Sequence, residues 1–463
     1  MVESTEQEEQ TKGTTRSNML ANEKIGKLLF KLSVPAIIGM SVHALYNIVD
    51  AFFVGRYIGT LGVAGTAIAF PIQMILIGIG IAVGIGGASI LSRRMGARDH
   101  DGASMALGNM ITLSMVGGIV CAAAGVIFIE PLLRIFGASE ATIPYARDYI
   151  SVVLIGSPLI VFSMIASSAA RAEGNAGVAM YSLILGGCLN IVLDPIFIVV
   201  LDRGMRGAGE ATVISVLVSC LFLLHYLMSG KSEIRLKPCH LKLNRPIVTE
   251  IFAIGSADFA RTAAMSATSA IFNNILGNLG GAMPIAAFGL IFRIISFVFM
   301  PMIGIAQGAQ PILGFNYGAR QFHRVRSCLS LANKSATAIA CIGWVIFMVF
   351  PGQILGIFTQ DAELIAMGTT ATRYLVLMFP LIGYQNIGAS LFQALGKAKP
   401  AIFLAFSRQV LFLIPLLFIL SKLFGLTGVW MSFPAADLTS FLVTFFMVTR
   451  EQRTLARMES ING

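Results

Sequence analysis

Charge is scarce in this 463-residue chain: Asp, Glu, Lys and Arg make up 12% of it, about half the share of a soluble domain. With 56% hydrophobic residues and a mean hydropathy of +0.81, that scarcity excludes an ordinary soluble protein. Cysteines number six (Cys121, Cys188, Cys220, Cys239, Cys328 and Cys341), four of them in apolar runs and none in a CxxC pair. Structural disulfides and zinc sites are therefore not expected. Of five histidines only His43 falls in a long apolar run, and neither HExxH nor GxSxG occurs. Nothing suggests a membrane-embedded enzyme or a resident cofactor. The acid-rich residues 1–22 (Glu3, Glu6, Glu8, Glu9) lack a basic stretch followed by an apolar run. They are not expected to be a cleaved signal peptide, and residues 1–24 are expected to form a disordered cytoplasmic tail. The net charge of +10 is spread over many short loops with no basic domain, so nucleic acid is not an expected partner. Basic cytoplasmic loops of a membrane protein give the same balance.

What is present is a repeat. Gly96-Ala97-Arg98 recurs as Gly318-Ala319-Arg320, Phe136 as Phe358, Pro158 as Pro380 and Gly174 as Gly396. All four lie on one offset of about 222 residues, as expected of a chain made from two same-direction halves. Gly is abundant, at 47 residues, which suits close helix packing in lipid.

A span needs about 20 mostly apolar residues. Twelve are expected: 28–54, 62–90, 105–129, 148–171, 176–201, 209–229, 247–276, 283–313, 329–350, 366–393, 400–421 and 425–448. They give an N-terminal lobe over 25–229, a polar cytoplasmic linker over 230–246, a C-terminal lobe over 247–448 and a cytoplasmic tail over 449–463. The N-terminus, the even-numbered connections and the C-terminus share one side, which carries 23 Lys and Arg. The other side carries seven: Arg56, Arg134, Arg147, Arg203, Arg206, Arg373 and Lys422. Basic residues favour the cytoplasmic side. Both termini are therefore expected in the cytoplasm of a multi-pass inner-membrane protein.

An ionisable residue within a span is expensive unless it faces the protein interior or water, so such residues are the first candidates for function. In span 1, His43, Asn47 and Asp50 fall at i, i+4 and i+7 on one face, with Tyr46 beside it. In span 5, Asn190 and Asp194 share a face, and Pro195 frees the carbonyl near position 191 from the helix ladder. A carboxylate, an amide and a freed carbonyl are hard oxygen ligands for a small cation. Counted from the external ends, Asp50 is about 6 Å and Asp194 about 10 Å into the membrane at 1.5 Å per residue. If they face each other, the two carboxylates cannot both stay charged in a low-dielectric site. The pair would take up a proton, or a monovalent cation in its place. In the second half, Asp258, Arg261, Arg293, Arg408 and Asp437 are expected to pair or to have structural roles.

The chain resembles the multidrug and toxic compound extrusion (MATE) transporters over about residues 25–450. The resemblance is carried by LSVPAIIGMSVHALYNIVDAFFVG (32–55), ILSRRMGARD (90–99), ARAEGNAG (170–177), LNIVLDPIFI (189–198), PILGFNYGAR (311–320) and LFGLTGVWMSFPAAD (423–437). The last of these and 291–311 look closest to the MepA-type and DinF-type branches. The resemblance implies an all-α integral membrane fold of twelve helices in two six-helix lobes, V-shaped. It implies an antiporter that exports organic cations or amphiphilic drugs in exchange for H⁺ or Na⁺, working as a monomer. It also implies a first-lobe cation site at Asp50, Asn190, Asp194 and Thr212, with span 1 bending at Pro35 and His43, Tyr46 and Asn47 in support. No metal is expected other than Na⁺ at Asp50, Asn190 and Asp194. Two features depart from relatives: Met164 and Ser167 stand where some place other polar residues in span 4, and span 10 has no acid. Coupling is therefore expected in the first lobe. The alternative is a lipid-linked precursor flippase, which would need several basic residues in its cavity, where only Arg261, Arg293 and Arg408 are central.

Overall fold

The computed structural model describes residues 16–462, which are helical apart from short turns, with no strand among the described residues. Spans 1–3 are Ile25–Phe53 with a π-helical turn Val54–Ile58, Thr60–Gly96 and His100–Ile127. Span 4 has two pieces, Ile143–Ile155 and Ser157–Ala172, bent by 55°. Span 5 is Ala176–Pro195 with a π-helical turn Ile196–Val200, and span 6 is Gly204–Met228. Spans 7–9 are Arg245–Gly280, Ala282–Gly318 and Phe322–Val349. Span 10 again has two pieces, Ala362–Val376 and Phe379–Ala394, bent by 48°. Helix from Ala398 runs to Asn462 through a π-helical turn Ser407–Leu413, and a non-helical Gly425 divides it into spans 11 and 12.

Among the described residues 8 helices are long and apolar enough to cross a membrane, or 10 with each bent pair counted as one span. Span 7 falls short because Asp258 and Arg261 interrupt its first half and Asn273, Asn274 and Asn278 its second, and spans 11 and 12 merge into one stretch. Spans 2, 8 and 9 outrun the expected apolar stretches because their helices continue into polar turns. The bends of spans 4 and 10 fall at the repeat-related Pro158 and Pro380, where the ring removes an amide donor and crowds the preceding turn.

The backbone repeats as the sequence does. Positive φ recurs at Gly59 and Gly281 (91° and 71°), at Arg98 and Arg320 (60° and 58°), and at Gly174 and Gly396 (81° and 74°). Arginine at positive φ is uncommon, so its recurrence at matched positions marks the same turn built twice.

The chain packs as two units. Unit 1 holds Val34–Gly255 with the described residues before Lys24, and unit 2 holds Lys24–Ser33 and Ser256–Gly463. The boundaries thus fall within spans 1 and 7, at positions that are themselves one repeat apart. In unit 1 the start of span 7 crosses span 2 at Gly86, where a Cβ would lie 2.1 Å from the Ile251 carbonyl oxygen. In unit 2 the start of span 1 crosses span 8 at Gly308, where a Cβ would lie 2.7 Å from the Ser33 nitrogen. Only glycine lets the backbones approach so closely. The core of unit 1 gathers Leu76, Leu133, Tyr149, Ile150, Val153 and Ile198. That of unit 2 is more aromatic, with Phe272 against Phe288, Phe433 and Trp430.

The tail expected to be disordered over 1–24 is ordered where it is described. Residues 16–22 form a helix with Leu20 fully buried, while 1–15 lie outside the described residues. This segment docks in unit 1 on the corner between spans 4 and 5 and on the linker. Glu233 accepts from the Arg16 and Ser17 amides (3.0 and 2.9 Å) and from Ser17 Oγ (2.6 Å). Arg16 Nη1 donates to Tyr226 Oη (2.7 Å) and to the Lys231 carbonyl (2.9 Å). Behind them Glu173, fully buried, accepts from Ser232 Oγ (2.6 Å) and Tyr226 Oη (2.8 Å), with Arg16 Nη1 3.9 Å away. Burial pushes the Glu173 carboxyl up to about 7 despite these donors.

Candidate functional site

Span 1 and span 5 run side by side in unit 1. A Cβ on Gly39 would lie 2.8 Å from Leu183 Cδ1, and one on Gly187 would lie 2.9 Å from Val42 Cγ1 and 3.5 Å from Tyr46 Cδ1. The 144 residues that separate Gly39 from Leu183 also separate Asp50 from Asp194. Parallel packing therefore brings the two acids to one level, close enough to act on each other and on the Tyr46 and Tyr149 hydroxyls electrostatically. Depth agrees. The π-helical turn carries span 1 on to Ile58, beyond its expected end, so Asp50 is about 12 Å in rather than about 6 Å. Asp194, six residues before Val200, is about 9 Å in.

Each acid lies within a turn or so of a π-helical turn, Asp50 four residues before Val54–Ile58 and Asp194 two before Ile196–Val200. Such turns are rare and gather at functional sites. In span 5, Pro195 cannot donate to position 191 and so loosens the helix just there. Asn190 and Asp194 are 2% and 0% exposed, and Asn190 Nδ2 donates to Asp194 Oδ1 (3.2 Å). Among the described residues three buried oxygens here have no donor: Asp50 Oδ1, Asn190 Oδ1 and Asp194 Oδ2. A buried oxygen without a partner costs stability, and these three lie on adjacent helices at one level. Chemically the set fits a proton shared by the carboxylates, or a small hard cation.

The other expected residues divide. Tyr46 lies against span 5 and stacks edge-on with His43, ring centroids 4.8 Å apart. His43 and Asn47 are exposed, and the Asn47 amide is tied to the His43 carbonyl at 2.7 Å. Thr212 Oγ1 donates to its own helix at Ala208 (3.0 Å), which leaves its lone pairs free to accept. Pro35 is accommodated within a continuous helix, two residues after the Ser33–Val34 boundary between the units. Met164 fills the space beside Gly80, and Ser167 faces Ser182 (3.2 Å).

Tyr149 and Gln73 were not among the expected residues. Gln73 Nε2 donates to Tyr149 Oη (3.0 Å), and Tyr149 is 5% exposed. Both interrupt apolar runs, and extending the search from ionisable residues to amides and hydroxyls finds them.

In unit 2 Asp258 and Asp437 are each paired with an arginine. Asp258 accepts from Arg261 and from Gln393 Nε2 (2.6 Å). Asp437 accepts from Arg408 Nε (2.5 Å), and its carbonyl takes Gln385 Nε2 (2.9 Å). Asp437 Oδ2 has no donor, but the guanidinium on the same carboxylate opposes a cation there.

The MatE family model matches residues 35–196 and 259–419, one stretch in each half and well over half of the chain. The chain belongs to the MatE family. Its MATE relatives are transporters, and the chain is accordingly a secondary transporter rather than an enzyme. The multidrug export protein MepA of Staphylococcus saprophyticus is 26% identical over 439 residues, 94% of this chain and 97% of that protein. A solved MATE in the bent conformation is 28% identical with a TM-score of 0.91, covering 96% of this chain and 99% of its own. A MOP-superfamily transporter from Pyrococcus furiosus, described as having a binding pocket of reverse polarity, is 28% identical with a TM-score of 0.89, covering 96% and 99%. The flippase alternative is not favoured by these MATE relatives. Two of its three central cations, Arg261 and Arg408, are already bound to acids.

Proposed function

We propose that this MATE protein is a cation-coupled antiporter that exports organic cations and amphiphilic drugs across the cytoplasmic membrane, with both termini in the cytoplasm. Asp50, Asn190 and Asp194 would form the coupling site, with Tyr46 and Thr212 beside it. The observation that carries this reading is the set of three donorless buried oxygens on spans 1 and 5. A proton or Na⁺ entering there relieves the repulsion between two carboxylates. Occupation changes the packing of span 1 against span 5, and Pro35 is where span 1 can bend in response. The ion drives export through its different affinity for the outward- and inward-facing states. A membrane potential adds about 2.3 kcal/mol per charge per 100 mV.

The test is ethidium efflux from proteoliposomes with the pH and Na⁺ gradients imposed separately. Efflux driven by the pH gradient and lost in Asp50→Asn and Asp194→Asn is the result expected for a proton antiporter. Dependence on Na⁺ keeps the site and changes the ion. Wild-type rates from both variants, each expressed normally, would remove the site.

A further inference from the structure

The repeat makes it possible to ask what covers each face of one half in the other. In unit 1 the linker packs on span 3. Thr112 Oγ1 donates to the Leu241 carbonyl (2.7 Å), and Asn244 N donates to Asn109 Oδ1 (2.7 Å). Gly108 lies so close that a Cβ would be 2.2 Å from the His240 carbonyl oxygen. One repeat later, positions 108, 109 and 112 become Ser330, Leu331 and Lys334 on span 9. Among the described residues no linker covers Ser330 and Lys334, while Leu331 lies near Gly26 at the start of span 1. They line an open groove of about 420 Å³ together with His323, Arg326 and Ser327.

The groove is basic and hydroxylated, with no acid in its lining. The side chains of His323, Ser327, Ser330 and Lys334 make no hydrogen bond or ion pair among the described residues. Arg326 uses Nη1 on Glu459 (3.0 Å), which leaves its other N–H groups. Guanidinium, ammonium and hydroxyl donors on one face suit a phosphate.

We propose that this face of span 9 binds the phosphate headgroup of an anionic phospholipid. The same helix face argues for a lipid over free phosphate. Beyond Lys334 it continues through Ala338, Ile342, Val345 and Val349, with Ile342, Val345 and Val349 61%, 48% and 55% exposed. From Lys334 to Val349 the helix rises about 22 Å, more than the roughly 15 Å of one hydrocarbon leaflet. An acyl chain can therefore run along that strip while the headgroup occupies the groove. Lys334, at the foot of the apolar run, can extend its ammonium to headgroup level. On this arrangement a lipid takes the place in the second half that the linker fills in the first.

The experiment is native mass spectrometry of the purified full chain titrated with phosphatidylglycerol or phosphatidylcholine, with and without millimolar inorganic phosphate. The wild type should retain phosphatidylglycerol in preference to phosphatidylcholine, and inorganic phosphate should not displace it. A triple variant, His323→Gln with Arg326→Gln and Lys334→Gln, should bind it about tenfold more weakly or worse. Lys334→Arg alone should bind as the wild type does. Thermal midpoints matched between the proteins exclude misfolding as the cause. Equal retention by the triple variant, or equal retention of the two lipids, overturns the proposal. Displacement by inorganic phosphate reassigns the groove to free phosphate and also overturns it. Tighter binding after Glu3, Glu6, Glu8 and Glu9 are all changed to Gln would make the acidic N-terminal residues its occupant instead.

Discussion

Docking of the N-terminal segment should depend on pH through Glu173. Fully in water a glutamate has an ordinary value of 4.5, and under the docked segment burial holds Glu173 at about 7. The docked state keeps a proton that the released state has already lost. Docking is therefore strongest below the released value, weakens as pH rises from 4.5 towards 7, and is level above that. The difference amounts to about 3 kcal/mol at most, because Tyr226 and Ser232 stay on the carboxyl after release and keep part of its burial. Amide hydrogen exchange over residues 16–23, corrected for the chemical rate, reads this directly. Between pH 5 and pH 8 protection should fall by up to about a hundredfold. Glu173→Gln, neutral at every pH, should lose most of the slope while the segment stays docked through Glu233, Tyr226 and the Lys231 carbonyl. Protection that stays constant over this range in the wild type, or an unchanged slope in Glu173→Gln, would refute the reasoning.

Arg408→Ala strands the 1%-exposed Asp437 carboxylate, and thermal unfolding should show a loss of about 3–5 kcal/mol; adding Asp437→Leu should recover most of it. Gly86→Val and Gly308→Val each force a side chain into a backbone crossing, costing about 1–3 kcal/mol or more. Their thermal midpoints should fall by similar amounts, and no fall in either would contradict the crossing geometry. Pro35→Ala should slow ethidium efflux with expression and midpoint unchanged, and an unaltered rate would remove Pro35 as the bend.

The twelve spans and their repeat were legible because apolar length and glycine or proline landmarks are local properties. The N-terminal segment was not, because residues 16–22 are ordered by partners more than 200 positions away, Tyr226 and Glu233. Polarity read as disorder, yet Glu173 is buried beneath it. At the candidate site, helix period placed Asn190 beside Asp194, and the parallel register of spans 1 and 5 was needed to bring Asp50 to their level. Period also put His43 and Asn47 with Asp50, but only Tyr46 of that stretch packs on span 5, and His43 and Asn47 are exposed. Tyr149 comes from span 4 and meets Gln73 of span 2 only in three dimensions. The docking of Arg408 on Asp437 likewise depends on two helices meeting.

The glycine crossings bear on how such a chain is made and where it came from. Residues Lys24–Ser33 leave the ribosome early but belong to unit 2, whose main body starts only at Ser256. The last turns needed by unit 1 arrive only with Gly255. A fragment cut in the linker thus leaves the first half without the segment that seats on Gly86, and with a stretch that has nowhere to seat. Synthesis must hold the opening turns of span 1 in waiting for more than 200 residues. Two copies that trade the same opening turns form a domain-swapped homodimer. This chain has the arrangement that two such copies joined head to tail would have.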